Sequence, residues 1–350
     1  MILPQSYAAA LFVAILACIC WGSWANTFKL AGKLRFELYY FDFAFGMMIA
    51  TLIYCFTVGS LGFDGFSLQD DMMHAGKRQW LYAFAGGVVF NFANMLLLAA
   101  VSVGGMAVAF PIGLGIATII TAGLAFVVKP NANGAILFAG CALILGSVIV
   151  AAMLNRQMAW LRHEELAKAG KTKSTRRPSS AKAVILSVVA GVLMGSITQL
   201  IERAREGDLG LGPYALGMFF VLGGFFTTFV LNMFFMNLPV EGEPVEITDY
   251  FKLRMGQHAL GLLGGALWFT AMLGFFLAAP TVPIPHVTPA LSVALLNGGA
   301  LIAALWGVLI WREFGAGDAR TGSMAALMLA LFACGLALMS IAATFAPAAA

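Results

Sequence analysis

Asn91 and Asn94 interrupt a long apolar run three residues apart. That spacing puts both amides on one face of a helix, and an amide both donates and accepts hydrogen bonds. Trp268 and Thr270 sit at similar depth in a later apolar run. An indole plane flanked by amides suits a flat ring or the face of a sugar; the alternative for Trp268 is a packing or lipid-facing aromatic. Trp21, Ser23, Trp24, Asn26 and Thr27 form a polar group in the first apolar run, and Gln199 is the counterpart of Asn26 in a later one. These amides either contact a neutral polar solute or bond helix to helix. Trp306 and Trp311, nearer a helix end, read as interfacial anchors.

The ionisable residues are few. Asp42, Glu202, His258 and His286 lie near the ends of apolar runs. A proton-coupled carrier needs a group that titrates and senses its solute. Asp42, Glu202 and His286 are the candidates, His286 because histidine titrates near physiological pH. The alternative is a solvated charge at a helix end. Pro111 and Pro289 are hinge candidates, since proline removes a backbone donor and kinks a helix. Pro280, Pro283 and Pro285 read as a rigid turn. No Gly-rich phosphate loop, HExxH or GxSxG pattern occurs, so neither an enzyme nor an ATP-driven pump is expected. The five cysteines, Cys18, Cys20, Cys55, Cys141 and Cys334, lie inside apolar runs with no paired spacing. No metal, cofactor or disulfide framework is expected.

The elements that must position these residues follow from composition. The chain has 350 residues, 61% hydrophobic and only 10% charged, against about 45–50% and about 25% for soluble domains. That excludes an ordinary cytosolic enzyme, a disordered chain and a nucleic-acid binder. A net charge of +4 implies no polyanionic partner. Charges are missing from 1–28, 43–63, 79–128, 130–155, 183–201, 209–240, 255–311 and 321–350. A bilayer span needs ~20 apolar residues, so six intervals suit one helix each and the two longest suit two. Barrel strands would alternate, and these runs do not. The expectation is an all-α integral membrane protein with ten transmembrane helices, near 6–28, 40–60, 81–102, 105–128, 133–154, 183–202, 213–236, 256–278, 287–310 and 321–344. The start, MILPQSY, lacks a positive n-region, so the first run reads as a helix rather than a cleaved signal.

The stretch 155–182 is a basic linker, read as solvated rather than as a lipid or regulatory site. Linkers on its side of the membrane carry 15 basic residues and those on the other side 5. The positive-inside rule then places the linker in the cytoplasm and both termini outside it. Gly86-Gly87 and Pro111 recur as Gly264-Gly265 and Pro289 at an offset of 178. Trp21-Gly22-Ser23 parallels Met194-Gly195-Ser196, and Asn26 parallels Gln199, at an offset of 173. Two halves of five helices, 1–154 and 183–350 around the linker, would then face opposite ways, as inverted repeats.

Three segments carry a resemblance. Cys20-Trp21-Gly22-Ser23-Trp24 is similar to the first helix of the ureide permeases and the bacterial glucose, ribose and rhamnose uptake proteins, a branch of the drug/metabolite transporter superfamily. Gly86-Gly87-Val88-Val89-Phe90-Asn91-Phe92-Ala93-Asn94 resembles the third-helix segment of ureide permeases. Trp306-Gly307-Val308 with Trp311-Arg312-Glu313-Phe314 resembles the end of the branch's ninth helix. The resemblance implies ten helices in two inverted repeats and a secondary carrier of small solutes, often proton-coupled. It singles out Asn91, Asn94 and Glu313; the position of Glu313 at a helix end suggests a topological or gating role.

Together these readings predict a multi-pass protein of the cytoplasmic (inner) membrane that takes up a sugar, ureide or nucleobase by alternating access, coupled to H+ or Na+. Trp21, Trp24, Asn26, Asn91, Asn94, Gln199 and Trp268 would contact the solute. Efflux of drugs or metabolites is the competing transport reading. A membrane scaffold or receptor using the basic linker is the competing class.

Overall fold

A computed structural model describes residues 1–128, 130, 132–168, 181–278 and 289–345. Among these residues the chain is helical, with no strand. In order the helices are α1 (Tyr7–Ser23), α2 (Asn26–Leu30), α3 (Phe36–Phe56), α4 (Leu68–His74), α5 (Lys77–Gly104), α6 (Met106–Val128) and α7 (Gly134–Lys168). There follow α8 (Ala181–Ser196), α9 (Thr198–Arg205), α10 (Pro213–Asn237), α11 (Ile247–Tyr250), α12 (Met255–Ala278), α13 (Pro289–Leu305) with a π-helical turn (Trp306–Ile310), and α14 (Ala319–Ala342). In lipid the backbone must satisfy its own polar groups, which a helix does within one segment. Starts carry local signals. The Ser6 hydroxyl accepts from Ala9 N at 3.2 Å, Asp318 accepts from Thr321 N at 2.9 Å, and Pro213 opens α10.

Nine described helices are long and apolar enough to cross a membrane, counting α1–α2 and α8–α9 as one span each. This is a multi-pass membrane protein. The ninth expected helix, 287–310, is represented by a shorter apolar piece, Ala294–Ile310. The expected proline turn and His286 lie outside the described residues. The fifth helix continues past its expected end to Lys168, because residues 155–168 are mostly strong helix formers without Gly or Pro. The estimated first and sixth helices, by contrast, are each interrupted by an irregular turn whose residues keep helical backbone angles. One break falls at Trp24–Ala25 and the other at Ile197. The short helices α4 and α11 were not foreseen.

The helices gather into two compact units. One comprises Met1–Met95 and Ser196–Gly299; the other comprises Leu96–Gly195 and the chain from Ala300 onward. Within the first unit, α3 packs on α12 and α10, and α1 packs on α12. Two reciprocal glycine pairs set the closest approaches. A Cβ on Gly46 would fall on the Leu262 backbone, and one on Gly265 on the Phe43 backbone. Likewise Gly87 lies against the Phe220 carbonyl and Gly223 against that of Phe84. Lipid is as apolar as leucine, so helices associate through such tight van der Waals contact between small residues.

Within the second unit, α7 packs against α14 and α6. Val108, Ile112, Val148, Leu154 and Met328 share its core. The Ser147 hydroxyl donates to Met328 O at 2.7 Å, and Gln157 donates to Thr321 Oγ1 at 2.8 Å. Pro111 lies inside α6; Pro289 is the first described residue of α13.

Candidate functional site

A small cavity lies inside the first unit among α3, α5, α10 and α12. Tyr40, Asn91, Asn94, Phe90, Phe220 and Trp268 help to line it, and its volume is about 10 Å³, room for about one water. Asn91 and Asn94 are 2% and 1% exposed. Their bonds run in one direction. Asn94 Nδ2 donates to the Tyr40 hydroxyl at 3.0 Å, which donates to Asn91 Oδ1 at 3.0 Å. The Thr228 hydroxyl also donates to Asn91 Oδ1, at 3.3 Å, and Asn91 Nδ2 donates to Thr227 Oγ1 at 3.2 Å. Asn91 is thus a satisfied hub.

Two cavity-lining residues keep unused polar atoms. Asn94 Oδ1, an acceptor, and Trp268 Nε1, a donor, are buried and find no partner among the described residues. Leaving such a group unbonded costs about 1–3 kcal/mol. Aromatic rings surround Trp268: Phe90 at 5.1 Å between centroids, Phe43 at 6.1 Å, and Phe220 nearly parallel at 6.4 Å. The walls are largely aromatic, and two lining residues hold one unbonded acceptor and one unbonded donor, the complements of an N–H and a C=O.

The other expected contact residues also fall in this unit. Trp21 packs on Phe90 at 6.0 Å and Trp268 at 6.5 Å, behind the cavity. Trp24 is fully buried against Phe43 at 5.1 Å. Asn26 turns back on its own helix, its Nδ2 donating to Ser23 O at 3.0 Å. Neither Asn26 nor the half-buried Gln199 lines the cavity. The sequence reading missed Tyr40, Thr227 and Thr228. The doublets Tyr39-Tyr40 and Thr227-Thr228 were visible signals, but only packing selects the members that meet Asn91.

A second cluster lies at the α3 start. Asp42, 4% exposed, accepts from the Tyr250 hydroxyl at 2.6 Å and meets His258 Nδ1 at 2.8 Å. Burial first, and the Asp42 carboxylate next, hold the Tyr250 phenol above its ordinary range, so it remains a donor. Nearby, Arg35 grips Glu37 with two bonds, at 2.7 and 3.1 Å, and Asn232 Nδ2 donates to Glu37 O at 2.6 Å. Glu202, in contrast, is exposed on α9.

In the second unit, Glu313 accepts from Met106 N at 2.9 Å and Ala107 N at 2.7 Å. Its carboxylate caps the start of α6. The π-helical turn and a left-handed Arg312 (φ 48°) aim it there.

The ureide permease family matches residues 39–192, a stretch that includes Tyr40, Asn91 and Asn94. The chain is 23% identical to ureide permease 4 of Arabidopsis thaliana, over 97% of this chain and 98% of that one. It is 22% identical to ureide permease 2 of the same plant, with the same coverage of both chains. A solved crystal structure shares the fold over 97% of this chain and 99% of its own, with a TM-score of 0.53 at 14% identity.

Proposed function

We propose that this protein is a secondary carrier that takes up a small neutral polar solute of the ureide, nucleobase or sugar kind across the cytoplasmic membrane. The observation that carries the reading is the buried network of Tyr40, Asn91, Asn94 and Thr228 beside Trp268, with Asn94 Oδ1 and Trp268 Nε1 left unbonded. The likeness to ureide permeases supports it, since a ureide offers N–H and C=O groups side by side.

Alternating access is the mechanism we assign. A cavity of about 10 Å³ is too small for a ring, so its walls must part to admit one and close again to hold it. The breaks at Trp24–Ala25 and Ile197 stand at the 173-residue offset that relates Asn26 to Gln199. Interrupted helices at matching places in two inverted halves are a feature of carriers. On this reading Asn94 and Trp268 bond the solute, Asn91 holds Asn94 through Tyr40, and Pro111 with Pro289 are hinges. A proton is the coupling ion, with the cluster around Asp42 near the α3 start as its site; sodium is the alternative.

The test is flux into proteoliposomes. Saturable, acid-gradient-driven uptake of labelled allantoin, uracil or glucose is the expected result. No saturable flux of any of them sinks the reading, and gradient-driven extrusion from loaded vesicles converts it to efflux.

A further inference from the structure

We propose that His258, Asp42 and Tyr250 form the proton-binding site of this carrier, with His258 as the group that takes up the proton. The three residues come from three elements, α12, α3 and α11: 216 positions separate Asp42 from His258 and 208 separate it from Tyr250, while the Tyr250 and His258 rings meet edge-on at 4.8 Å. The inference rests on the carrier reading and goes beyond it by naming the site.

The bonding pattern assigns the roles. An ionised carboxylate only accepts. Asp42 takes the Tyr250 hydroxyl on Oδ1 and His258 Nδ1 on Oδ2. Nδ1 is therefore the protonated nitrogen of the neutral ring, and Nε2 is left as the acceptor. The His258 side chain is 20% exposed and that of Asp42 5%, so the ring is the more accessible of the two. One proton leaves hydronium from the outer side and forms an N–H bond at Nε2; its release to water on the cytoplasmic side, where the α3 and α12 starts are expected, reverses the step. Uptake takes the pair from a net negative charge to neutrality, which lowers the cost of enclosing it away from water.

The surroundings hold few competing groups. On α3, Tyr39 bonds Thr27 and Glu37 is paired with Arg35. On the α11 side, Asp249 is paired with Lys252. α10 carries no charged residue, α12 has His258 as its one titratable group with Arg254 one turn before it, and α2 contributes Lys29. The same two helices build the solute cavity: α3 carries Tyr40 and α12 carries Trp268. The Gly46 and Gly265 contacts hold them together, so a change at Asp42 and His258 is mechanically joined to the cavity. Tyr250 extends the site to the connection between α10 and α12, where its ring also packs on Phe41 at 5.5 Å.

Proteoliposomes test this with labelled allantoin, uracil and glucose. In H258Q the ratio of acid-gradient-driven accumulation to gradient-free exchange should fall at least about fivefold, as loss of a coupling free energy requires. Its exchange should also lose the pH dependence that the wild type shows. A ratio and pH profile equal to the wild type would overturn the site. Y250F, which keeps the ring, should move the pH midpoint of exchange; an unmoved midpoint removes Tyr250 from the proposal. Wild-type protein in weakly buffered detergent needs no variant: probe binding should take up protons near neutral pH, and binding without proton uptake refutes the proposal. Wild-type vesicles that exchange none of the probes bring down the carrier reading first, and this site with it.

Discussion

Asn91 and Asn94 look alike in the sequence and do different work. Asn91 has both lone pairs of its carbonyl occupied, by Tyr40 and Thr228, and a donor spent on Thr227. Its replacement by Ala removes the acceptor of the buried Tyr40 hydroxyl, while Thr227 and Thr228 keep the helix carbonyls of Gly223 and Gly224, so N91A should lower stability in detergent by about 1–3 kcal/mol. Asn94 gives one bond to Tyr40 and keeps an acceptor free. N94A should melt closer to the wild type and instead raise the KM for solute about tenfold, the effect of one lost hydrogen bond of about 1.4 kcal/mol. Thermal unfolding and transport kinetics on both variants check the contrast. If N94A proves the less stable of the two and leaves KM alone, their roles are reversed. The residue types were legible as polar groups in lipid, because such groups are costly there and must be used. Which one is hub and which one is hand was not legible, because Tyr40 and Thr228 lie 51 and 137 positions from Asn91.

Elements are positioned by glycine contacts and by one long-range cap. Gly87 meets the Phe220 carbonyl of α10, whereas nothing lies within 4 Å of a Cβ at Gly123 on α6. G87A should cost about 1–3 kcal/mol by forcing α5 and α10 apart; G123A should gain about 0.5–1 kcal/mol from the lost flexibility of the unfolded chain. Melting temperatures in one detergent give the comparison, and equal shifts would show that packing at Gly87 is looser than the contact implies. Glu313 works on a different principle. Its place at a helix end suggested a topological or gating role, and its geometry is that of a cap on Met106 N and Ala107 N. E313A should therefore destabilise by about 1–3 kcal/mol, with E313Q recovering part of the loss through its remaining carbonyl. A variant that melts like the wild type would exclude the cap as a source of stability. The helix breaks at Trp24–Ala25 and Ile197 were missed for a physical reason. Neither site has a proline, so composition alone signals an uninterrupted span.

For the molecule as a whole, charge placement predicts orientation. Basic residues favour the linkers on the side of 155–182, which puts that stretch in the cytoplasm and both termini outside. In a cysteine-free background, an impermeant thiol reagent added to intact cells should label Gln5→Cys and spare Ser174→Cys. The opposite pattern would invert the topology and with it the side from which His258 meets its proton.

Composition and the spacing of charges determined by themselves that this chain is a helical membrane protein, where most spans lie, and that its buried polar groups are largely uncharged. Those conclusions depend only on the cost of placing charge and bare backbone in hydrocarbon, which each segment meets alone. Tertiary structure decided the rest. It chose Tyr40, Thr227 and Thr228 as partners of the amides, left Asn26 bonded to its own helix, and joined Asp42 to His258 and Tyr250 rather than leaving it a solvated end charge. A side chain's partners across helices depend on crossing geometry and rotation. Those are set by which glycines meet which backbones, and no spacing along the chain encodes them.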